Sequence, residues 1–225
     1  MPTLVLLSGG LDSAVLAAHE ALSGRVLPVY VSVGLAWEDA EVRMVEQLLA
    51  SPPFAGKVDP LARVSFTMRD VYSPTHWAIR GVPPAYDTPD QDVYLVGRNL
   101  VLLTKAGVVA AKARADRIAL GPLAGNPFPD ARPAFFSAMS QALSLGLDHA
   151  IEIATPFLAW EKDQVIRRGI ELGVPFELTL SCMNPVVSSG LPQHCGLCSK
   201  CRERRDGFAA AGVSDPSSYA NQSPR

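Results

Sequence analysis

The apolar run Leu4-Val5-Leu6-Leu7 passes directly into Ser8-Gly9-Gly10-Leu11-Asp12-Ser13 and then into Ala14-Val15-Leu16-Ala17-Ala18. That order describes a short buried strand, a tight turn and the opening of a helix. Gly9 and Gly10 carry no Cβ, so the turn can reach positive φ and an anion can approach the amides closely. The helix dipole adds positive potential at the same point. Asp12 and Ser13 are expected to satisfy the open amides of the first helical turn. The result is a phosphate cradle, with Leu7, Ser8, Gly9, Gly10, Leu11, Asp12 and Ser13 as its phosphate-binding positions. It is not a Walker A loop, because the G-x-x-x-x-G-K-[ST] spacing and its lysine are missing.

Beyond the first helix, strand and helix alternate. Residues 25–33 read as a second strand, and a strand-helix-strand unit with so long a connection is parallel and right-handed. Residues 38–49 place Val42, Val45, Leu48 and Leu49 on one helical face, with Glu41, Arg43 and Glu46 off it. Residues 61–68 alternate as a third strand. Residues 69–96 break the pattern with four prolines, among Tyr72, His76, Trp77 and Tyr86. A connection that long and that aromatic reads as a lid or binding wall rather than a disordered linker. A lone loop histidine such as His76 is more often a packing residue than a base.

A helix over residues 100–115 comes next, with Asn99 as its expected N-cap and Arg98 at its start, where a guanidinium can grip phosphate. Residues 116–121 form a strand ending in Gly121, so the next loop, containing Asp130 and Arg132, sits at the carboxyl edge of the sheet. Open parallel sheets bind ligands at that edge. A helix over 134–145 is expected to stop at Gly146, and a strand over 151–154 leads to a helix opened by Glu161-Lys162-Asp163 and ended by Gly173. At a sheet's carboxyl edge, Lys162 can neutralise phosphate charge as it leaves. The fold expected is α/β, an open and mainly parallel sheet with helices on both faces.

All four cysteines lie late in the chain: Cys182, then Cys195, Cys198 and Cys201 at C-x2-C-x2-C spacing. Two residues between thiolates suit a knuckle that presents both sulfurs to one tetrahedral ion, so a structural zinc is assigned. An iron–sulfur cluster is the competing ligation. His194 has no vacant position beside four thiolates, and Arg202, Arg204 and Arg205 are expected to offset the negative charge of the site. With the cysteines committed to metal, no thiol is left for persulfide chemistry, which argues against a tRNA-thiolating activity.

With 20 Lys and Arg against 22 Asp and Glu, the net charge of −2 gives no footprint for nucleic acid. No leader or membrane-spanning stretch is evident, and a cytoplasmic location is the default. The expected organisation is an α/β domain over 1–178 and a zinc-binding segment over 179–225 packed on it.

SGGLDS resembles the SGGxDS pyrophosphate loop of the ATP pyrophosphatases, which cleave ATP between the α and β phosphates to adenylate a substrate. Further stretches resemble one family among them, the 7-cyano-7-deazaguanine synthases of the queuosine pathway. VGRNLVLLTKA is similar to its P-G-R-N-x-x-F/L, with Val96 for proline. Pro129-Asp130-Ala131-Arg132 is similar to its P-D-C-R, with Ala131 for cysteine. TPFLAWEK is similar to T-P-L-x-x-x-x-K, which makes Lys162 the matching lysine. Thr179-Leu180-Ser181-Cys182 and Cys195-Gly196-Leu197-Cys198-Ser199-Lys200-Cys201 are similar to its T-x-S-C and C-G-x-C-x-x-C.

The resemblance covers nearly the whole chain. It implies an adenine nucleotide alpha hydrolase-like fold, ATP and Mg2+ as cofactors beside Zn2+, and a carboxylate substrate with ammonia as partners. A homodimer would be unsurprising. Catalytic roles fall to Asp12, Ser13, Arg98 and Lys162. Nucleotide binding falls to the loop with Arg98, Asn99 and Gly121, and the substrate border to Asp130 and Arg132. One departure bears on substrate: after the second strand the family carries a Q-R-H-x-x-E-like stretch, whereas Val33 to Glu41 keeps acids but no Gln-Arg-His. Two alternatives stay open, a paralogous enzyme adenylating another carboxylate and a zinc-stabilised nucleotide-binding module with little turnover.

Overall fold

A computed structural model describes residues 1–187 and 190–222. Of the expected C-terminal segment, residues 188, 189 and 223–225 lie outside the described residues. Five parallel strands make one sheet: β1 (Thr3–Leu6), β2 (Val26–Ser32), β3 (Ala62–Ser65), β4 (Arg117–Ala119) and β5 (Glu152–Ala154). Their order across the sheet is β3-β2-β1-β4-β5. β1 is central, with Thr3 in register with Val26 on one side and Arg117 on the other. The chain winds outward from β1 to β3, then returns to add β4 and β5 on the opposite side. The strand order therefore reverses between β1 and β4, and the crevice at their carboxyl ends is where such sheets take ligands.

Strand periodicity divides the core into two layers. Leu4 points into one, with Val29, Val31 and Ile118. Val5 and Leu7 point into the other, with Ala119 and Ala154. The first layer is closed by α4 (Arg98–Ala113) and α5 (Pro133–Leu147) through Leu103, Ala106, Ala110, Phe136 and Leu143. The second is closed by α1 (Leu11–Glu20), α6 (Lys162–Glu171) and α7 (Ser199–Ala211). Both faces of every central strand are buried, which is why the strands read as runs of Val, Leu and Ile.

Helix α2 (Glu38–Ala50) sends Met44 into one layer and Val45 and Leu48 into the other. Glu41 does not lie off the buried face, as apolar periodicity alone would have it; the side chain is only 7% exposed. Tyr30 on β2 supplies the reason, donating its hydroxyl to Glu41 Oε2 at 2.7 Å. A carboxylate enters a core when a donor waits for it there.

Three helix boundaries also move. α1 begins at Leu11 with Gly10 as N-cap, so Asp12 and Ser13, expected to satisfy its first amides, lie inside the helix. α5 runs through Gly146 to Leu147 and is closed by Asp148 in the left-handed region at φ 47°. α4 begins at Arg98 behind Gly97 at φ 75°, so Asn99 lies inside the helix and is not its cap. α6 begins with a capping box, Glu161 bonding the Gln164 amide and Gln164 bonding the Glu161 amide. Residues 69–96 carry a short helix, α3 (Trp77–Arg80), which His76 caps by accepting from the Ala78 amide at 3.2 Å. The segment is pinned to the body by Arg69, whose Nε donates to Gly34 O at 2.9 Å. Arg202 holds it at the far end, donating to Tyr86 O at 2.9 Å.

Candidate active site

A cavity of about 330 Å³ opens at the switch point between β1 and β4. The loop after β1 gives it Leu7, Ser8, Gly10, Leu11, Asp12 and Ser13, and the strand end at β4 gives it Gly121. Arg98, Asn99, Asp130 and Lys162 line it as well. Segments scattered over the chain thus meet around one space. Gly9 and Arg132 are not among its lining residues, and Arg132 is exposed.

Of the two glycines, only Gly9 takes positive φ, at 79°; Gly10 is extended at φ −68°. A Cβ on Gly9 would stand 2.9 Å from Val45 Cγ2 and 3.2 Å from Glu41 O, so Gly9 is needed behind the loop, against α2. Its carbonyl accepts from the Leu180 amide at 2.7 Å. Gly10 faces the cavity. The loop is laced through Ser13, whose Oγ accepts from the Ser8 amide at 3.2 Å and donates to Gly10 O at 2.9 Å. No side chain caps α1, contrary to the expectation for Asp12 and Ser13. A helix start without a side-chain cap leaves first-turn amides open, and the helix dipole favours an anion there.

Asp12 is engaged elsewhere. Both its oxygens accept from Lys162 Nζ, at 2.7 and 3.0 Å. The same ammonium pairs with Glu203 Oε1 at 2.7 Å. Burial alone would discharge this lysine, but Asp12 and Glu203 together raise its pKa above the ordinary lysine range. Glu203 is reciprocally affected: burial pushes it up, yet Lys162 and Lys200 hold it down at about 2. The end of the cavity at the glycine loop is therefore an ion lattice of alternating sign.

The other end is aromatic. Trp37 and Trp77 stack with centroids 5.8 Å apart and planes 9° from parallel, and Tyr94 stacks on Phe128 at 4.9 Å. All four line the cavity, as does Glu41. Burial pushes the Glu41 carboxyl up to about 7, against the pull of Arg98 and the hydrogen bonds from Tyr30 and Trp37. Asp130 supplies the cap that Asn99 does not give itself: its Oδ2 accepts from the Asn99 amide at 3.0 Å, and its carbonyl accepts from Asn99 Nδ2 at 2.9 Å. Burial raises the Asp130 pKa, and the Asn99 amide opposes that shift. Arg98 sits between these carboxylates with its Nε buried and, among the described residues, unpartnered. A buried donor without an acceptor inside a cavity is suited to a ligand oxygen.

The four cysteine sulfurs lie within 4.8 Å of one another, all buried. Three separations are 3.5, 3.9 and 3.9 Å. A tetrahedron with metal–sulfur bonds of about 2.3 Å has edges of about 3.8 Å, so one zinc ion fits the set. Backbone amides already point at the sulfurs, those of Cys195 and Asn184 at Cys182 Sγ (3.2 and 3.3 Å). His194 stays outside, accepting from the Ser181 amide at 3.1 Å; burial lowers its pKa to about 3. The three arginines have these hydrogen-bond and ring partners beside the cluster. Arg204 is fully buried on Asp215, Thr179 and the Phe176 carbonyl. Arg205 lies over the Tyr219 ring and bonds Gly196 O, and Arg202 holds the 86–88 carbonyls.

Sequence reasoning missed Tyr30, Trp37, Glu41, Lys200 and Glu203. The i,i+3 Lys-Glu pair near the start of α7 was a visible signal for the last two; nothing local marks Glu41.

Residues 2–212 match the family described as queuosine biosynthesis protein QueC. Among curated relatives, a 7-cyano-7-deazaguanine synthase of Anaeromyxobacter dehalogenans is 35% identical over 96% of this chain and 95% of its own. Enzymes of that name from Methanopyrus kandleri and Syntrophotalea carbinolica are 30% and 32% identical, over 96% and 99% of this chain and 98% of each relative.

Proposed function

The chain belongs to the QueC family of queuosine biosynthesis, and on that premise we propose that it converts 7-carboxy-7-deazaguanine and ammonia into 7-cyano-7-deazaguanine using ATP. The carboxylate attacks the α phosphate of ATP, releasing pyrophosphate and forming an acyl adenylate. Ammonia displaces AMP to give the amide. The amide oxygen attacks the α phosphate of a second ATP, releasing a second pyrophosphate, and loss of AMP together with the two amide N–H protons leaves the nitrile.

The observation that carries this reading is the meeting of the Ser8–Ser13 loop, Arg98 and Lys162 around one cavity at the switch point. The open amides at the start of α1 receive the departing pyrophosphate, and the Lys162 ammonium stabilises its developing charge. Arg98 has a free donor for the reacting phosphate or carboxylate. Ser13 keeps the loop in shape, and Asp130 fixes the start of α4 and so the place of Arg98. Asp12 offers hard oxygens at the phosphate end, suited to a magnesium ion, which when bound would neutralise polyphosphate charge. Zinc, held by Cys182, Cys195, Cys198 and Cys201, would be structural, since four thiolates leave no open position. The aromatic end would take the flat bicyclic base, bordered by Asp130. We place the enzyme in the cytoplasm.

Incubation with ATP, magnesium, ammonia and the carboxy-deazaguanine is expected to yield nitrile and pyrophosphate together. Their joint absence, with ATP still bound, would remove this reading. The 33–41 stretch lacks the family's Gln-Arg-His and instead puts Trp37 on Trp77 in the cavity wall. That favours one second reading, an enzyme of the same chemistry acting on another carboxylate. Pyrophosphate release with a different acid and none with the deazaguanine would select it.

A further inference from the structure

The first two turns of α7 bring two residues into the phosphate end of the cavity that the family resemblance leaves unassigned. Glu203 Oε1 pairs with Lys162 Nζ at 2.7 Å, and its Oε2 pairs with Lys200 Nζ at 2.5 Å. Lys200, Glu203 and Lys162 all line the cavity with Ser8, Gly10 and Asp12. We propose that Lys200 and Lys162 form a two-ammonium seat for one phosphoryl group of the nucleotide, with Glu203 filling that seat until polyphosphate displaces it.

Three observations support it. First, a carboxylate whose two oxygens are shared between two ammoniums presents to them the same bridging geometry that two oxygens of a phosphoryl group would, and charged hydrogen bonds of this kind are directional. Second, the seat is built. Lys162 comes from the start of α6 and Lys200 from the start of α7, and α7 is set tightly against the Lys162 stem at Gly207, where a Cβ would meet Lys162 Cγ at 2.4 Å. Cys198 and Cys201 flank Lys200, so the thiolate cluster fixes the turn that carries it. Third, the charges here balance. Asp12 and Glu203 offset Lys162 and Lys200, so the site is neutral in itself, and an entering anion must break one internal pair to gain both cations. Glu203, only partly buried with its side chain 27% exposed, can turn to solvent; Lys162, at 19%, is more confined.

The inference rests on the polyphosphate reading of the site. Calorimetric titration with inorganic pyrophosphate and with ATP, in the presence of magnesium, tests it on wild type, Lys200→Ala and Glu203→Gln. Lys200→Ala is expected to weaken both ligands about tenfold and Lys200→Arg to recover part of that. Glu203→Gln removes the internal competitor and is expected to tighten pyrophosphate several-fold. Circular dichroism and thermal melting on each variant establish that it is folded, and Lys200→Arg carries the test should Lys200→Ala melt early. Affinity within twofold of wild type in Lys200→Ala, or weakening by Glu203→Gln to the same degree, would overturn the proposal. Failure of wild type to bind either ligand would instead strike the polyphosphate reading beneath it. Binding without nitrile formation would leave this seat intact and count only against the deazaguanine substrate.

Discussion

The two ends of the cavity are made in opposite ways. The phosphate end takes its shape from one contiguous loop, Ser8 to Ser13, laced by short-range hydrogen bonds and then tied to α6 and α7 by Asp12, Lys162 and Glu203. The aromatic end takes nothing from a contiguous motif. Trp37 lies after β2, Trp77 belongs to α3, Tyr94 precedes α4 and Phe128 precedes α5. One end holds charge in alternating pairs, whereas the other buries the carboxylates of Glu41 and Asp130 near a guanidinium whose Nε has no partner among the described residues. An anion common to every turnover can be met by fixed backbone amides, while the part of a substrate that differs between enzymes is met by side chains on exchangeable connections.

Substitutions at the two ends should separate these modes of construction. The largest loss of stability is expected at Arg204, which anchors α7 beneath the phosphate end through Asp215. Arg204→Ala removes a fully buried guanidinium and leaves the part-buried Asp215 carboxylate with only the Tyr219 hydroxyl and Ser217 amide. It should cost about 3 kcal/mol in chemical denaturation. A small loss would mean that the phosphate end is not held from behind as described. Lys162→Ala should lower the rate of pyrophosphate release by about 10²–10³-fold, roughly 3–4 kcal/mol in the barrier, with ATP saturation still attainable. An unchanged rate would take the charge lattice out of the chemistry.

At the aromatic end, Glu41→Gln gives a pH signature instead. The Glu41 carboxyl is raised from 4.5 to about 7, so the fold prefers its protonated form. Its contribution to stability is complete below pH 4.5, declines as the pH rises through 7, and is flat above. Wild type should therefore lose stability over that window while Glu41→Gln does not. The variant should be the more stable by on the order of 3 kcal/mol at alkaline pH, read from denaturant midpoints. Parallel curves for the two proteins would show that Glu41 is ionised throughout. The smallest effect is expected at Asp130, where Asp130→Ala removes the cap on the Asn99 amide and should cost about 1–2 kcal/mol. Its effect on the Michaelis constant for the carboxylate should exceed its effect on that for ATP.

The same contrast explains what could be read from the sequence. The alternation of strand and helix, the loop after β1 and the thiolate cluster are all written as local spacing, and the family match runs through them along the chain. The partners of these residues are not local. Asp12 looked like a helix cap because nothing nearby announces Lys162, 150 positions later. Asn99 looked like a cap because Asp130, 31 residues on, does that work from another loop. Glu41 looked solvated because helical periodicity counts apolar neighbours and cannot see the Tyr30 hydroxyl across the sheet. Gly146 looked like a stop, yet glycine only permits a turn, and Asp148 makes it here at φ 47°.

Gly207 bears on how freely such a chain can vary. Because any larger residue there would collide with the lower carbons of Lys162, the spacing between two helices is set by the absence of a side chain. A drift to alanine in this polar stretch of α7 would push the Lys162 ammonium out of place without changing any residue that contacts a ligand. Losses of activity in natural or engineered variants should therefore be sought in the seam between α6 and α7, as well as in the glycine loop at the head of the chain.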